Sequence, residues 1–307
     1  MLKSKIFIDG DSGTTGLGIR DRLSGRTDLE LIALPQAQRK DLSAKQQVLS
    51  EVDLTILCLP DDAAKETVAL CDALGTKAPR ILDASTAHRT APGWVYGFPE
   101  LCVNQAQAIA SAHRVANVGC YATGAIALLR PLIDAQLLPS SYPLAINAVS
   151  GYSGGGRHMI ESYKKGEAAA FELYSLSHQH KHIPEIMAYA RLEKPPIFAP
   201  SVGNFRQGML VSIPLALDAL PIKITASDLQ ETYQRYYHAA PHVHWVAAPP
   251  TGRLDALALN NTDDMELFVF SNEALRQIIL VARLDNLGKG ASGAAVQNLN
   301  LMLKKTQ

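Results

Sequence analysis

Residues 5–16 read KIFIDGDSGTTG, an apolar run from Lys5 to Asp9 that breaks into Gly10-Asp11-Ser12-Gly13-Thr14-Thr15-Gly16. The run has the length and residue types of a buried strand. The glycines permit a tight turn, and the residues after it read as a helix. The glycine spacing, G-x-x-G-x-x-G, is a variant of the dinucleotide fingerprint. In that turn, backbone N–H groups and a helix N-terminus face a pyrophosphate. Gly10, Ser12, Gly13, Thr14, Thr15 and Gly16 are therefore candidate cofactor contacts, with the threonine hydroxyls as further donors.

Working outward, strand-like and helix-like segments alternate through the first 120 residues. Strands are expected at 29–34 (LELIAL), 53–59 (DLTILCL), 80–85 (RILDAS) and 114–119 (RVANVG), and a helix at 61–74 between Pro60 and Gly75. Strands separated by helices imply a parallel, doubly wound sheet of Rossmann type. After about residue 140, strands are expected at 142–149, 210–217, 265–271 and 276–285, with helices chiefly near 157–172 and 225–238. That pattern predicts an α+β domain with a mainly antiparallel sheet. A helix-like tail over 290–304 is expected to return to the first domain. The expected division is thus 1–118, completed by 286–307, as a nucleotide-binding domain, and 119–285 as a catalytic and dimerisation domain.

Composition narrows the class. Lys and Arg number 29 and Asp and Glu 29 in 307 residues, so no charge excess points to nucleic acid or an anionic membrane surface. Hydrophobic residues are 47% and charged residues 19%, as in a core-forming chain. No apolar run approaches the ~18–20 residues of a membrane span. The first residues reach Asp9 with no room for a secretory signal. Four cysteines without a C-x-x-C pair suit neither a disulfide framework nor a cysteine-based zinc site, and a cytoplasmic location is expected.

At the end of the second strand an NAD enzyme would carry an acid for the ribose. Here Leu34-Pro35-Gln36-Ala37-Gln38-Arg39-Lys40 precedes the first acid, Asp41. Arg39 and Lys40 suit a 2′-phosphate, so NADP is the expected cofactor.

Asn117-Val118-Gly119-Cys120-Tyr121-Ala122-Thr123-Gly124 places a cysteine where a strand ends and an apolar helix-like run, 125–138, lies just beyond. Helix-start N–H groups favour a thiolate and could stabilise an oxyanion on a carbonyl that sulfur attacks. Cys58 falls in an apolar strand, Cys71 in a helix and Cys102 in a loop, none with an activating context. An acid/base partner is sought in His178-Gln179-His180-Lys181-His182, followed by Ile183-Pro184-Glu185. If the segment is extended, His180 and His182 share a face. Glu185 could orient an imidazole or bind substrate. A metal site is the rival reading of His-x-His, but no acidic or cysteine ligands cluster nearby, so no metal is expected.

Together these motifs resemble the N-acetyl-gamma-glutamyl-phosphate reductases, in the shorter of that family's two forms, whose wider relatives are the aspartate-semialdehyde dehydrogenases. The resemblance rests on the glycine turn, on 83–89 (DASTAHR), 118–123 (VGCYAT), 150–157 (SGYSGGGR), 180–185 (HKHIPE), 200–209 (PSVGNFRQGM) and 285–298. It implies NADPH-dependent reductive dephosphorylation of N-acetyl-glutamyl 5-phosphate to the semialdehyde, in arginine biosynthesis, through a thioester on Cys120, with inorganic phosphate released. It also implies His182 as the acid/base, with His180 as the alternate. Arg89 would clamp an oxyanion bidentately, with Arg157 a second candidate and Ser150 and Glu185 further substrate contacts. Ser85, Asn286 and Gly290 would touch the cofactor, and the chain would form a homodimer or homotetramer through the second sheet. The alternatives are an aspartate-semialdehyde dehydrogenase, whose cysteine usually sits in N-C-x-T rather than Gly119-Cys120-Tyr121, a non-catalytic NADP-binding module, or cysteine-dependent acyl transfer without redox chemistry.

Overall fold

A computed structural model describes residues 3–304. In chain order the elements are β1 (Ser4–Asp9), α1 (Thr14–Leu23), β2 (Leu29–Ile32), α2 (Leu42–Leu49), β3 (Leu54–Leu57), α3 (Asp61–Ala73), β4 (Arg80–Asp83), β5 (Val95–Gly97), α4 (Gln105–Ser111), β6 (Arg114–Asn117) and α5 (Cys120–Asp134). Next come β7 (Ala145–Gly151), α6 (Gly156–Lys165), β8 (Phe171–Leu173), α7 (His182–Ala190), β9 (Ile197–Gly203), β10 (Met209–Ala216) and α8 (Ala226–Tyr237). The chain closes with β11 (Val243–Trp245), β12 (Met265–Asn272), β13 (Gln277–Leu284) and α9 (Gly293–Leu303). Two compact units result, residues 3–118 with 291–304, and residues 119–290.

The first unit is a six-stranded sheet ordered β2-β1-β3-β4-β6-β5, and every ladder in it is parallel. β3 is buried along its whole length, as a central strand covered on both faces must be. Ile6, Ile8, Leu54, Ile56, Leu82 and Val115 pack with Ala295, Leu299 and Met302 of α9, so the last helix shares this core. The amide of Asn298 ties it down, donating to the Gly97 carbonyl at 2.8 Å and to Asn117 Oδ1 at 2.9 Å. Residues 305–307 of the expected tail lie outside the described residues. Asp41 has a local role here, because its carboxylate caps α2 by accepting from the Ser43 and Ala44 N–H groups.

The second unit is a seven-stranded sheet ordered β11-β12-β13-β10-β7-β9-β8. Its β11–β12 and β7–β9 ladders are parallel and the other four antiparallel. One face carries α5, which is buried from Tyr121 to Leu132. The helix expected over 125–138 thus starts five residues earlier, at Cys120 itself, because Gly119 takes the extended conformation of an N-cap. Pro131 sits inside α5 and cannot donate to the Ala127 carbonyl. The hydroxyl of Tyr237 donates to that carbonyl at 2.9 Å, and Tyr233 donates to the adjacent Leu128 carbonyl at 2.6 Å. Tyr237 of α8 thus satisfies the carbonyl that a buried helical proline exposes, and Tyr233 adds a second bond beside it.

The helix expected over 157–172 is also corrected. α6 ends at Lys165, where Gly166 adopts a left-handed conformation (φ 74°), and the chain re-emerges as the edge strand β8.

Candidate active site

In the first unit, β1 delivers the chain into the glycine turn. Gly10 has φ +88°, and a Cβ there would stand 2.3 Å from the Cys58 carbonyl oxygen, so only glycine fits. The N-cap of α1 is Gly13, which brings no side chain to the helix start, and the first helical residues are Thr14 and Thr15. This is a cradle for an anion, built of backbone donors and hydroxyls. Beside it lies a cavity of about 480 Å³ lined in part by Gly10, Asp11, Ser12, Arg39, Lys40 and Lys45. Arg39 pairs with Asp11 at 2.9 Å. Lys45 of α2, a residue without a sequence signal, forms a buried pair with Asp9 at 2.8 Å, and Thr67 of α3 donates to the same Asp9 oxygen at 3.1 Å. The residues therefore fit a dinucleotide: a glycine-lined helix start for phosphates, and a cationic rim beside it.

The motif at 83–89 closes on itself. Asp83 is fully buried. Its carboxylate accepts from the Ser85 N–H at 2.8 Å and the Ser85 hydroxyl at 2.7 Å, and its Oδ2 lies 2.6 Å from His88 Nδ1. His88 stacks on Trp94. Ser85, expected on the cofactor, has its hydroxyl engaged in this knot. Arg89 is buried, and its Nε donates to the Asn117 carbonyl at 3.0 Å at the end of β6.

In the second unit, Cys120 is the first residue of α5. Its predecessor Gly119 is held from two sides. Its N–H donates to the buried carboxylate of Glu185 at 2.7 Å, and its carbonyl accepts both the Thr123 N–H and the Thr123 hydroxyl, at 2.8 and 2.9 Å. Gly119 brings no capping side chain to this helix start, where the first N–H groups and the helix dipole favour a thiolate. The other buried thiols are suppressed. Burial, with Asp83, Asp9 and Asp11 nearby, pushes Cys58 well above the usual thiol range, and burial pushes Cys71 up to about 12.

His182 is buried and opens α7, and His180 is two residues before it in a turn. The segment is not extended as expected. Even so the two rings lie 4.8 Å apart, because the turn folds one over the other at the helix start. Tyr121 presents its ring edge to both, at 5.9 and 5.8 Å, and Phe198 of β9 closes the group. Tyr174, just beyond β8, brings its ring to 5.7 Å from His180. The sequence carried no sign of Tyr174, since strand pairing alone delivers it. Burial raises the Tyr121 phenol well above its usual range and pushes Tyr174 up to about 12, so both keep their protons. Glu185 touches the Gly119 N–H rather than standing only as an imidazole or substrate contact. Ser150 is buried beneath this group, whereas Arg157 is exposed in the first turn of α6.

The 285–290 turn packs on the nucleophile. A Cβ on Gly290 would stand 2.8 Å from Cys120 Cβ. Asn286, expected to touch the cofactor, accepts the Gly208 N–H at 2.9 Å and donates to the Ser153 hydroxyl at 3.0 Å, bonds that secure the turn. Asp285 does the same, accepting from Gln207, the Asn261 N–H and the Leu287 N–H. Among the described residues, no three histidines, cysteines or carboxylates converge as metal ligands.

Comparison with known proteins matches residues 23–111 to the semialdehyde dehydrogenase NAD binding domain and residues 120–286 to the semialdehyde dehydrogenase dimerisation domain. A Pseudomonas putida protein named N-acetyl-gamma-glutamyl-phosphate reductase 2 is 51% identical across 98% of this chain and 97% of its own length. The N-acetyl-gamma-glutamyl-phosphate reductase of Burkholderia lata is 50% identical over 99% of this chain and 97% of its own. The chain belongs to the N-acetyl-gamma-glutamyl-phosphate reductase family. As in the family's wider circle, its fold is that of the aspartate-semialdehyde dehydrogenases. The Vibrio cholerae aspartate semialdehyde dehydrogenase II superposes with a TM-score of 0.73 at 16% identity, each chain covered in full. The Candida albicans enzyme, solved with NADP, gives 0.65 at 15% identity over 97% of this chain and 99% of its own. At such identity the likeness is one of fold. The assignment to the reductases makes this chain an oxidoreductase with a nicotinamide-nucleotide domain.

Proposed function

We propose that this chain reduces N-acetyl-glutamyl 5-phosphate to N-acetyl-glutamate 5-semialdehyde with NADPH, in the cytoplasm, with Cys120 as nucleophile and His182 as acid/base. The observation that carries the reading is the seating of Cys120 as the first residue of α5, its preceding peptide clamped by Glu185 and Thr123. The thiolate attacks the acyl carbon, the carbon–oxygen bond to phosphate breaks, and a thioester remains on Cys120. When bound, the reduced nicotinamide supplies the hydride that converts the thioester to a thiohemiacetal. His182 protonates the developing oxyanion and takes the proton back as the aldehyde forms and the carbon–sulfur bond breaks. The N–H groups at the start of α5 stabilise negative charge on sulfur and oxygen.

Arg39 and Lys40 support NADP over NAD, since both line the cavity beside the glycine turn and no carboxylate ends β2. Arg89 is assigned to the substrate's phosphate, its plane oriented by the bond to Asn117. Ser150, Glu185 and Arg157 remain substrate candidates, with Gly10, Ser12, Gly13, Thr14, Thr15, Gly16, Ser85, Asn286 and Gly290 on the cofactor. The second unit is assigned to self-association as a homodimer or homotetramer.

A reverse assay tests the reading: NADP, phosphate and either semialdehyde are supplied, and NADPH absorbance is followed. Turnover should favour N-acetyl-glutamate semialdehyde, and Cys120→Ser should lower kcat by about a thousandfold or more while nucleotide binding persists. Faster turnover of aspartate semialdehyde would overturn the substrate assignment.

A further inference from the structure

The two histidines of the H-x-H pair stand in one cluster, yet their hydrogen bonds differ. The His182 N–H donates to His180 Nδ1 at 3.1 Å. It is one of the N–H groups at the start of α7 that have no partner within the helix, so the His180 ring acts as a cap. His180 Nε2 lies 3.5 Å from the Tyr174 hydroxyl. The Tyr121 hydroxyl, whose ring also packs on His180, donates to the Ser201 carbonyl at 2.8 Å.

The backbone partner of His180 sets its polarity. A backbone N–H can only donate and a carbonyl can only accept. His180 Nδ1 must therefore keep its lone pair, and its proton sits on Nε2, directed at Tyr174. The Tyr121 proton is committed to the Ser201 carbonyl. His180 then has one direction, accepting at Nδ1 and donating at Nε2.

We propose that His180 is a positioning residue with Tyr174 as its partner, and that this one-way chain holds the His182 ring for proton transfer while excluding His180 from it. This deepens the proposed function and rests on it for the role of His182. Protonating His180 would place a second proton between Nδ1 and the His182 N–H, donor against donor. The groups around the ring act in the same direction. Burial, then the Lys181 charge, lower its pKa to about 4, while Tyr174, Tyr121 and Phe198 offer no anion to stabilise an imidazolium. The spacing thus joins two unlike tasks, with the first histidine capping the helix that the second one opens.

Replacement at 180 separates positioning from proton transfer. Asparagine carries an acceptor near the Nδ1 position, whereas alanine carries none. His180→Ala should lower kcat about tenfold or more, and His180→Asn should recover most of that loss with the wild-type pH–rate profile. Tyr174→Phe should lower kcat severalfold with its pH profile unmoved. A His180→Asn enzyme as impaired as His182→Asn, or one with a displaced pH profile, would overturn the proposal. A second readout needs no turnover. Nitrogen-15 NMR of the histidines should show His180 as the neutral Nε2–H tautomer down to about pH 5. An imidazolium signal from His180 near pH 6 would also overturn the assignment. If that tautomer is found in a protein without reductase activity, the proposed function fails and the hydrogen-bond chain stands.

Discussion

Glu185 is 1% exposed, and it takes the N–H of the residue before the nucleophile. A carboxylate makes a strong acceptor there, and removing it leaves a buried donor unmet, at a cost of about 1–3 kcal/mol. Glu185→Ala should therefore slow alkylation of Cys120 by iodoacetamide as well as turnover, and Glu185→Gln, which keeps an acceptor oxygen, should restore much of both. Alkylation at the wild-type rate in Glu185→Ala would show that the clamp does not set the sulfur's position. His180 makes a separate claim on stability. Its pKa falls from 6.5 in a free chain to about 4 on folding, so below 6.5 the unfolded chain binds a proton that the native ring refuses. That contribution is complete above about pH 6.5 and is lost as pH falls towards 4. The urea midpoint of the wild type should drop more steeply across this window than that of His180→Asn.

At the scale of the element, α5 decides the second unit. It is buried nearly all round, starts at the nucleophile and contains Pro131, which leaves the Ala127 carbonyl to be served by Tyr237. Tyr237→Phe should destabilise the protein by about 1–3 kcal/mol, because the Ala127 carbonyl is then buried without a donor. In a Pro131→Ala background the alanine N–H can take that carbonyl, so the same change should cost much less. Urea denaturation of the four proteins measures the coupling. Equal losses in both backgrounds would mean that the hydroxyl's contribution lies elsewhere. α5 also shows how far residue types alone carry. Its apolar run is plain in the sequence. Its first turn is not, since Gly119-Cys120-Tyr121-Ala122 has no capping side chain and becomes helical because Glu185 and Thr123 hold Gly119.

Over the whole molecule, the parallel sheet of the first unit is covered on both faces, whereas the second sheet carries its helices on one face only. The other face holds a cavity of about 560 Å³ among Val149, Phe171, Leu173, Leu210, Phe270 and Ile279. Phe171 is 59% and Ile279 48% exposed. The proposed homo-oligomer would use this apolar face, since association surfaces are of this kind. Ile279→Asp should lower the mass measured by size exclusion with light scattering towards that of a single chain. An unchanged mass would place self-association on another surface. Among the described residues, no helix is long and apolar enough to cross a membrane.

What the sequence determined by itself was local and periodic. Apolar runs of strand length, the glycine turn after β1 and the single cysteine between a strand and a helical run follow from near neighbours, so they could be read one segment at a time. Short elements such as β5, β8 and α4 escaped because their stability comes from their partners rather than from their own residues. Tertiary structure alone brought Tyr174 to His180, set Glu185 on Gly119 and joined Asn286 to Ser153. Hydrogen bonds between residues 66 or 133 positions apart leave no period or spacing in a chain, and only packing fixes which donor meets which acceptor.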